Sequence, residues 1–239
     1  MREEPMTGFV RTRRCGVRAA ALLALAGMTS SVAGQVGAPI VSPGFQRVAP
    51  GATTPDGDGF LRRWLLLEPI DKPNRSNTGF SATYVRQALT TPYFPGQFTA
   101  MPRDGQVVKA AQPLRWHALE STAFNVKLFD FARGLGKPTY GVIFWAVTVV
   151  DAPREMRDVR MAVGSNSASI WWLNGKETVG LFNDRRMVMD DVLSDRVTLR
   201  KGRNVIRGAV INGPGLSDFC VRFLDANGRP ITEVKTDVR

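Results

Sequence analysis

From residue 124 onwards, apolar and polar positions alternate in short runs. Phe124, Val126 and Leu128 alternate, and so do Val159, Met161 and Val163 around Arg160 and Ala162. A period of two puts successive side chains on opposite faces of an extended chain, so these runs predict strands. Two denser runs also predict strands: Trp64-Leu65-Leu66-Leu67, a buried one, and the β-branched and aromatic run Val142 to Val150. Turn signals separate the runs about every ten residues. Asn174-Gly175 follows Ile170-Trp171-Trp172-Leu173 and suits a type I′ hairpin, because both residues tolerate positive φ. A second turn falls at Lys201-Gly202-Arg203-Asn204, before Val205, Arg207, Ala209 and Ile211. Only Phe80, Tyr84, Val85, Ala88 and Leu89 follow helical spacing, which predicts one short helix near 80–90 with Thr78 or Ser81 as its cap. The pattern as a whole predicts an all-β sandwich.

The first 58 residues read differently. Arg11, Arg13, Arg14 and Arg18 precede a short apolar run, Ala19 to Met28, and then small residues, Thr29 to Gly34. That order predicts an export signal over 1–34, cleaved after Ala33 or Gly34. The apolar run is shorter than the roughly 20 residues a bilayer span needs, so no transmembrane anchor is expected. Arg13-Arg14 leaves the twin-arginine and general export routes both open. Residues 35–58, rich in Gly and Pro, read as a flexible leader. The sandwich is expected over 59–235, with the protein periplasmic or extracellular.

Composition narrows the function classes. The chain has 239 residues, 44% of them apolar and 22% charged, close to a globular average. Lys+Arg is 32 against 21 Asp+Glu, a net charge of +11, but acids interleave with the bases and no run of five like charges occurs. A solvated mixed surface is therefore expected rather than a nucleic-acid partner. Loss of the signal removes Cys15 and leaves Cys220 alone, which excludes an intramolecular disulfide in the mature chain. Cys220 lies in an alternating segment and reads as a buried small hydrophobe.

Catalytic signals are sparse. No G-x-S-x-G elbow is present, and any Ser-His or Cys-His pair would have to use the single histidine, His117. One histidine and one mature cysteine do not make a zinc site of the usual composition, so no cofactor is expected. Calcium stays open, since carboxylates and carbonyls suffice for it; Asp184, Asp190, Asp191 and Asp218 are the candidates.

Several segments carry a resemblance. Ala168 to Glu177, containing Trp171-Trp172-Leu173-Asn174-Gly175, resembles the Trp-x-Asn-Gly hairpin of galactose-binding-like jelly rolls. Thr198 to Ile206, with its Leu-x-x-Gly-x-Asn pattern, resembles their following strand pair, and Gly228-Arg229-Pro230-Ile231 resembles their closing segment. With Arg63 to Ile70, Tyr93 to Thr99, Trp116 to Leu119, Phe144 to Thr148 and Asn212 to Phe219, the ordered set is similar to the sandwich domain fused to secreted bacterial proteins classed as acetylxylan esterases. The hydrolase domain of those proteins has no counterpart here. The resemblance implies a jelly-roll β-sandwich and an exported, non-catalytic accessory or carbohydrate-binding domain. Its partner would be a plant-type polysaccharide or a secreted carbohydrate-active enzyme. Two other readings stand beside it: a structural docking domain for a separately encoded esterase or glycoside hydrolase, and a small hydrolase with an unrecognised site.

Sugar sites combine aromatic faces with hydrogen-bonding Arg, Asn or Asp. Trp171, Trp172, Trp116, Tyr93, Tyr140, Arg185 and Asn212 supply that chemistry. Because neighbouring strand residues face opposite ways, Trp171 and Trp172 cannot both enter one core between two sheets. One of the pair is expected to be a binding platform or to lie beneath a loop.

Overall fold

The computed structural model describes residues 42–73, 80–182, 186–213 and 215–238. The expected export signal, and residues 35–41 of the expected leader, lie outside these. The first half of the described chain contains β1 (Phe45–Arg47), β2 (Arg63–Leu67), β3 (Ile70–Asp71), α1 (Ala82–Thr90), β4 (Val107–Lys109), β5 (Pro113–Ser121), β6 (Val126–Lys127) and α2 (Leu128–Gly134). The second half contains β7 (Val142–Ala152), β8 (Met156–Ser165), β9 (Ala168–Leu173), β10 (Lys176–Leu181), β11 (Val192–Leu193), β12 (Val197–Leu199), β13 (Gly202–Asn212), β14 (Asp218–Leu224) and β15 (Lys235–Asp237). The all-β sandwich expected from the sequence is the fold observed.

The larger sheet runs β1-β5-β2-β7-β13-β9-β10, with β3 and β15 pairing with β7 and β4 pairing with β5. The smaller sheet runs β11-β8-β14-β6, with β12 also pairing with β8. All these pairings are antiparallel. Between the sheets, Trp64, Leu66, Phe144, Trp171 and Val210 meet Met161, Val163, Phe219, Val221 and Phe223. The opposite face of the larger sheet is buried as well. Leu65, Leu67, Trp145, Trp172 and Ile211 lie there under Val85, Ala88 and Leu89 of α1 and under Phe94. Two covered faces explain the unbroken apolar runs at 64–67 and 142–150.

Ser81 caps α1, its Oγ accepting the Tyr84 N–H at 3.2 Å, so the predicted helix starts where its capping signal stands. Thr78, the other capping candidate, lies outside the described residues. A second helix, α2, was not expected. The alternation of Phe124, Val126 and Leu128 ends at β6, and Leu128, Phe131 and Ala132 then bury one helical stripe. Residues 42–58, expected within the leader, are tied to the sandwich. Phe45 is buried, β1 pairs with β5, and Thr53 bridges to Thr236. No helix among the described residues is long and apolar enough to cross a membrane.

Candidate functional site

The seven candidate residues fall into separate places. Trp171 is fully buried between the sheets, edge-on to Trp64 and Phe219 at 5.9 and 4.8 Å. Its Nε1 donates to Ser169 Oγ at 3.0 Å. The cross-strand partner Gly208 has no side chain, and the indole fills that space: a Cβ there would lie 2.2 Å from Trp171 Cζ3. Trp172 points to the other face, where it stacks on Trp145 at 5.6 Å and is covered by Phe98 at 5.7 Å. Trp116 shares that outer face, edge-on to Phe94 and buried. The opposite orientation of the tryptophan pair is as the strand period requires, and one of the two lies beneath the 94–98 loop. Neither ring, nor that of Trp116, is a solvent-facing platform, because the outer face carries a second apolar layer.

Tyr93 is half-buried beside this layer. Its hydroxyl donates to the Ala88 carbonyl at 2.9 Å, and its N–H donates to Oε1 of the buried Gln97. Burial pushes the phenol pKa up. With Ile70, Asp71, Ala110, Gln112 and Leu114 it lines a cleft of about 400 Å³. Arg185 lies outside the described residues.

Asn212 and Tyr140 are brought together at one end of the sandwich, where the loops before β7 and after β13 meet. Asn212 is buried at the end of β13, and its Nδ2 donates to the carbonyls of Thr139 (2.6 Å) and Gly215 (3.3 Å). Its Oδ1 accepts from Ser167 Oγ at 3.2 Å, and its carbonyl accepts the Gly141 N–H at 3.0 Å. Both neighbours of Tyr140 in the chain are therefore pinned, while the Tyr140 ring is 54% exposed. Phe129 of α2 packs against it at 5.7 Å, and the Arg133 guanidinium lies 5.7 Å from the Phe129 ring. Leu216, also exposed, sits on the adjoining loop, and its carbonyl, 3.2 Å from Ser167 Oγ, competes with Asn212 Oδ1 for that hydroxyl hydrogen.

No family model matches this chain, and no curated protein does so either. Similar solved structures include the PA14 domain of the antifreeze protein MpAFP, at 9% identity and a TM-score of 0.38 over 80% of this chain and 96% of that one. A β-glucosidase from Kluyveromyces marxianus, solved with glucose, is similar at 17% identity and a TM-score of 0.33. That match covers 46% of this chain and 14% of the enzyme. A GH31 α-xylosidase from Xanthomonas citri is similar at 7% identity and a TM-score of 0.30, over 80% of this chain and 19% of the enzyme. All three overlaps are partial and at low sequence identity.

Phe129 is the neighbour of Tyr140 that sequence reasoning missed, with Arg133 over its ring. The available signal was the helical spacing of Leu128, Phe131, Ala132 and Leu135, hidden behind the strand alternation just before it.

His117 and Cys220, the candidates for nucleophilic chemistry, lie apart from the Tyr140 loop end in contacts of their own. His117 Nε2 lies 3.2 Å from Glu68 Oε1, and Glu68 Oε2 lies 3.3 Å from Lys137 Nζ. The imidazole stands edge-on to Phe131, and burial holds its pKa below the usual value against the pull of Glu68. Cys220 is buried, its Sγ 4.0 Å from Met187 Sδ, and burial pushes its thiol up to about 11. A thiol held that high is not a nucleophile near neutral pH. Among the four acids considered for calcium, Asp190 forms an ion pair with the Arg222 guanidinium, and Asp218 accepts from Asn125 Nδ2 at 2.9 Å. Asp184 lies outside the described residues. Among the described residues, no group of three or more His, Cys, Asp or Glu is placed to hold a metal ion.

Proposed function

We propose that the chain is an exported, non-catalytic accessory domain that binds plant-type polysaccharide at the loop end carrying Tyr140. One observation supports this. Among the described residues, Tyr140 is the one aromatic side chain more than half exposed, and the buried Asn212 fixes the backbone on both sides of it. A rigidly mounted exposed ring suits the C–H face of a pyranose and loses little entropy on binding. Arg133 and Lys137, close by in the chain, each keep donor hydrogens beyond those engaged by Asp130 and Glu68.

Affinity electrophoresis of the full-length protein through gels containing xylan, glucomannan or galactan tests the proposal. Tyr140→Ala is expected to lose the retardation while leaving stability within about 0.5 kcal/mol. Retardation equal to wild type would overturn it. An aryl acetate assay on the same preparations addresses catalysis. Turnover by the wild type that His117→Gln abolishes would replace the non-catalytic reading with a hydrolase.

A second reading, docking onto a separate secreted enzyme, is favoured by a different surface. Val188, Met189 and Leu193 are exposed together along the segment lying over the smaller sheet, where the Val188 carbonyl passes so close to Gly164 that no side chain would fit there. Apolar side chains clustered in this way are a common mark of a protein interface.

A further inference from the structure

The two turns that the sequence marks most clearly, Asn174-Gly175 and Arg200-Lys201-Gly202, are joined by a buried latch. Asn204 has no exposed surface; its Nδ2 donates to the carbonyls of Arg200 (2.7 Å) and Gly202 (2.9 Å). Its Oδ1 accepts from the Arg200 N–H and from Asn174 Nδ2, both at 3.0 Å. Asn174 Oδ1 in turn accepts the Val205 N–H at 2.9 Å. These bonds fix the walls of a cavity of about 330 Å³ lined by Lys176, Arg196 and Arg200 with Asn174, Thr178 and Thr198. No Asp or Glu lines it. Arg196 makes one long bond, to the Asp158 carbonyl at 3.4 Å. Among the described residues, Lys176 and Arg200 have no side-chain hydrogen bond or ion pair.

Lys176, Arg196 and Arg200 are exposed around this open cavity, and with no carboxylate in its lining they give it a positive potential that favours an anion. We propose that this cavity is a subsite for an anionic group of an acidic polysaccharide, a uronate carboxylate or a sulfate ester. The proposal keeps the polysaccharide-binding reading above but adds a separate contact at the opposite end of β13 from Asn212 and Tyr140, and it names the class of glycan. The planar forks of Arg196 and Arg200 match the paired oxygens of either anion, and Lys176 adds a point charge. The two threonines and Asn174 give the cavity a polar lining suited to sugar hydroxyls. Nucleic acid suits it less, because no aromatic side chain lines the cavity for a base to stack on.

The test uses the full-length protein and gels containing polygalacturonate, dextran sulfate or neutral xylan, with single-stranded DNA as the competing polyanion. Lys176→Gln/Arg196→Gln/Arg200→Gln is compared with a charge-matched control, Arg103→Gln/Lys109→Gln/Arg229→Gln, in which all three side chains are exposed elsewhere. The site variant is expected to weaken binding to one or both acidic polysaccharides roughly tenfold, and the control to leave it nearly unchanged. Polygalacturonate against dextran sulfate then tells carboxylate from sulfate. Equal losses in both variants, wild-type binding in the site variant, or tighter binding of DNA than of either polysaccharide would overturn the proposal. Tyr140→Ala separates the two readings. If it abolishes retardation by xylan while the site variant binds polygalacturonate normally, the anion subsite fails and the polysaccharide-binding reading stands.

Discussion

Asn174 Nδ2 donates to Asn204 Oδ1 at 3.0 Å, joining two turns that lie 30 residues apart in the chain. Asn174 adopts a φ of +52° at the first position of its hairpin turn, followed by Gly175 at +83°. One residue therefore supplies both the turn conformation and half of the latch. Asn174→Gly keeps the conformational freedom and drops the latch; it is expected to cost about 1–2 kcal/mol. Asn204→Ala takes their side-chain partner from the Arg200 N–H and from the Arg200 and Gly202 carbonyls, as well as from Asn174, and is expected to cost about 2–3 kcal/mol. Urea denaturation of the two variants checks the order.

Trp171 and Trp172 are both structural, but in different layers. Trp171→Ala opens the core between the sheets, and Trp172→Ala opens the outer layer beneath Phe98. Each is expected to lose about 3–5 kcal/mol with no change in polysaccharide binding by the folded protein. Gly208→Ala attacks the first layer from the opposite side, since its methyl group would overlap the Trp171 ring. It is expected to destabilise by about 2–3 kcal/mol, the overpacking range, or more. Thermal melts of the three variants decide this.

Asp218 gives the fold a pH dependence. Burial pushes its carboxyl up to about 6; Asp130 adds to the rise, while Lys127 and the Asn125 hydrogen bond oppose it. The folded protein therefore holds a proton that the unfolded chain releases near pH 4. The stability this contributes is present at low pH and is lost as pH rises from about 4 through about 6. Asp218→Asn is expected to be more stable than wild type at pH 7.5, by on the order of 2 kcal/mol, with the difference vanishing near pH 4. Melting temperatures across that window test the sign.

Arg63 and Glu120 are buried cross-strand partners, with Nε 2.9 Å from Oε2. The Arg63 guanidinium also donates to the Gly51 carbonyl at 2.7 Å and so holds the 42–58 segment to β2. Glu120→Ala strands a buried cation and is expected to cost about 3–5 kcal/mol. Arg63→Met/Glu120→Leu is expected to recover much of that loss. Denaturation midpoints of the single and double variants measure the difference.

Much of this arrangement was legible in the sequence. Period-two alternation marked the strands, Asn174-Gly175 marked the hairpin, Ser81 marked the start of α1, and the adjacent tryptophans had to face opposite ways. These follow from local stereochemistry, which a short window of sequence contains. Alternation says which residues share a face; it does not say what covers that face. Trp116 and Trp172 are chemically suited to sugar binding, yet α1 and the 91–101 segment lie over them because the larger sheet is apolar on both sides. Asn212 offered hydrogen bonds to a ligand, but it spends them on Gly215, three residues on, and on Thr139, which comes near it only when β7 and β13 pair. The basic cavity likewise needs Lys176 from one turn and Arg196 and Arg200 from another. Those meetings depend on strand order, a property of long-range pairing that no local pattern encodes, and so the tertiary structure alone decided which polar and aromatic side chains were left facing solvent.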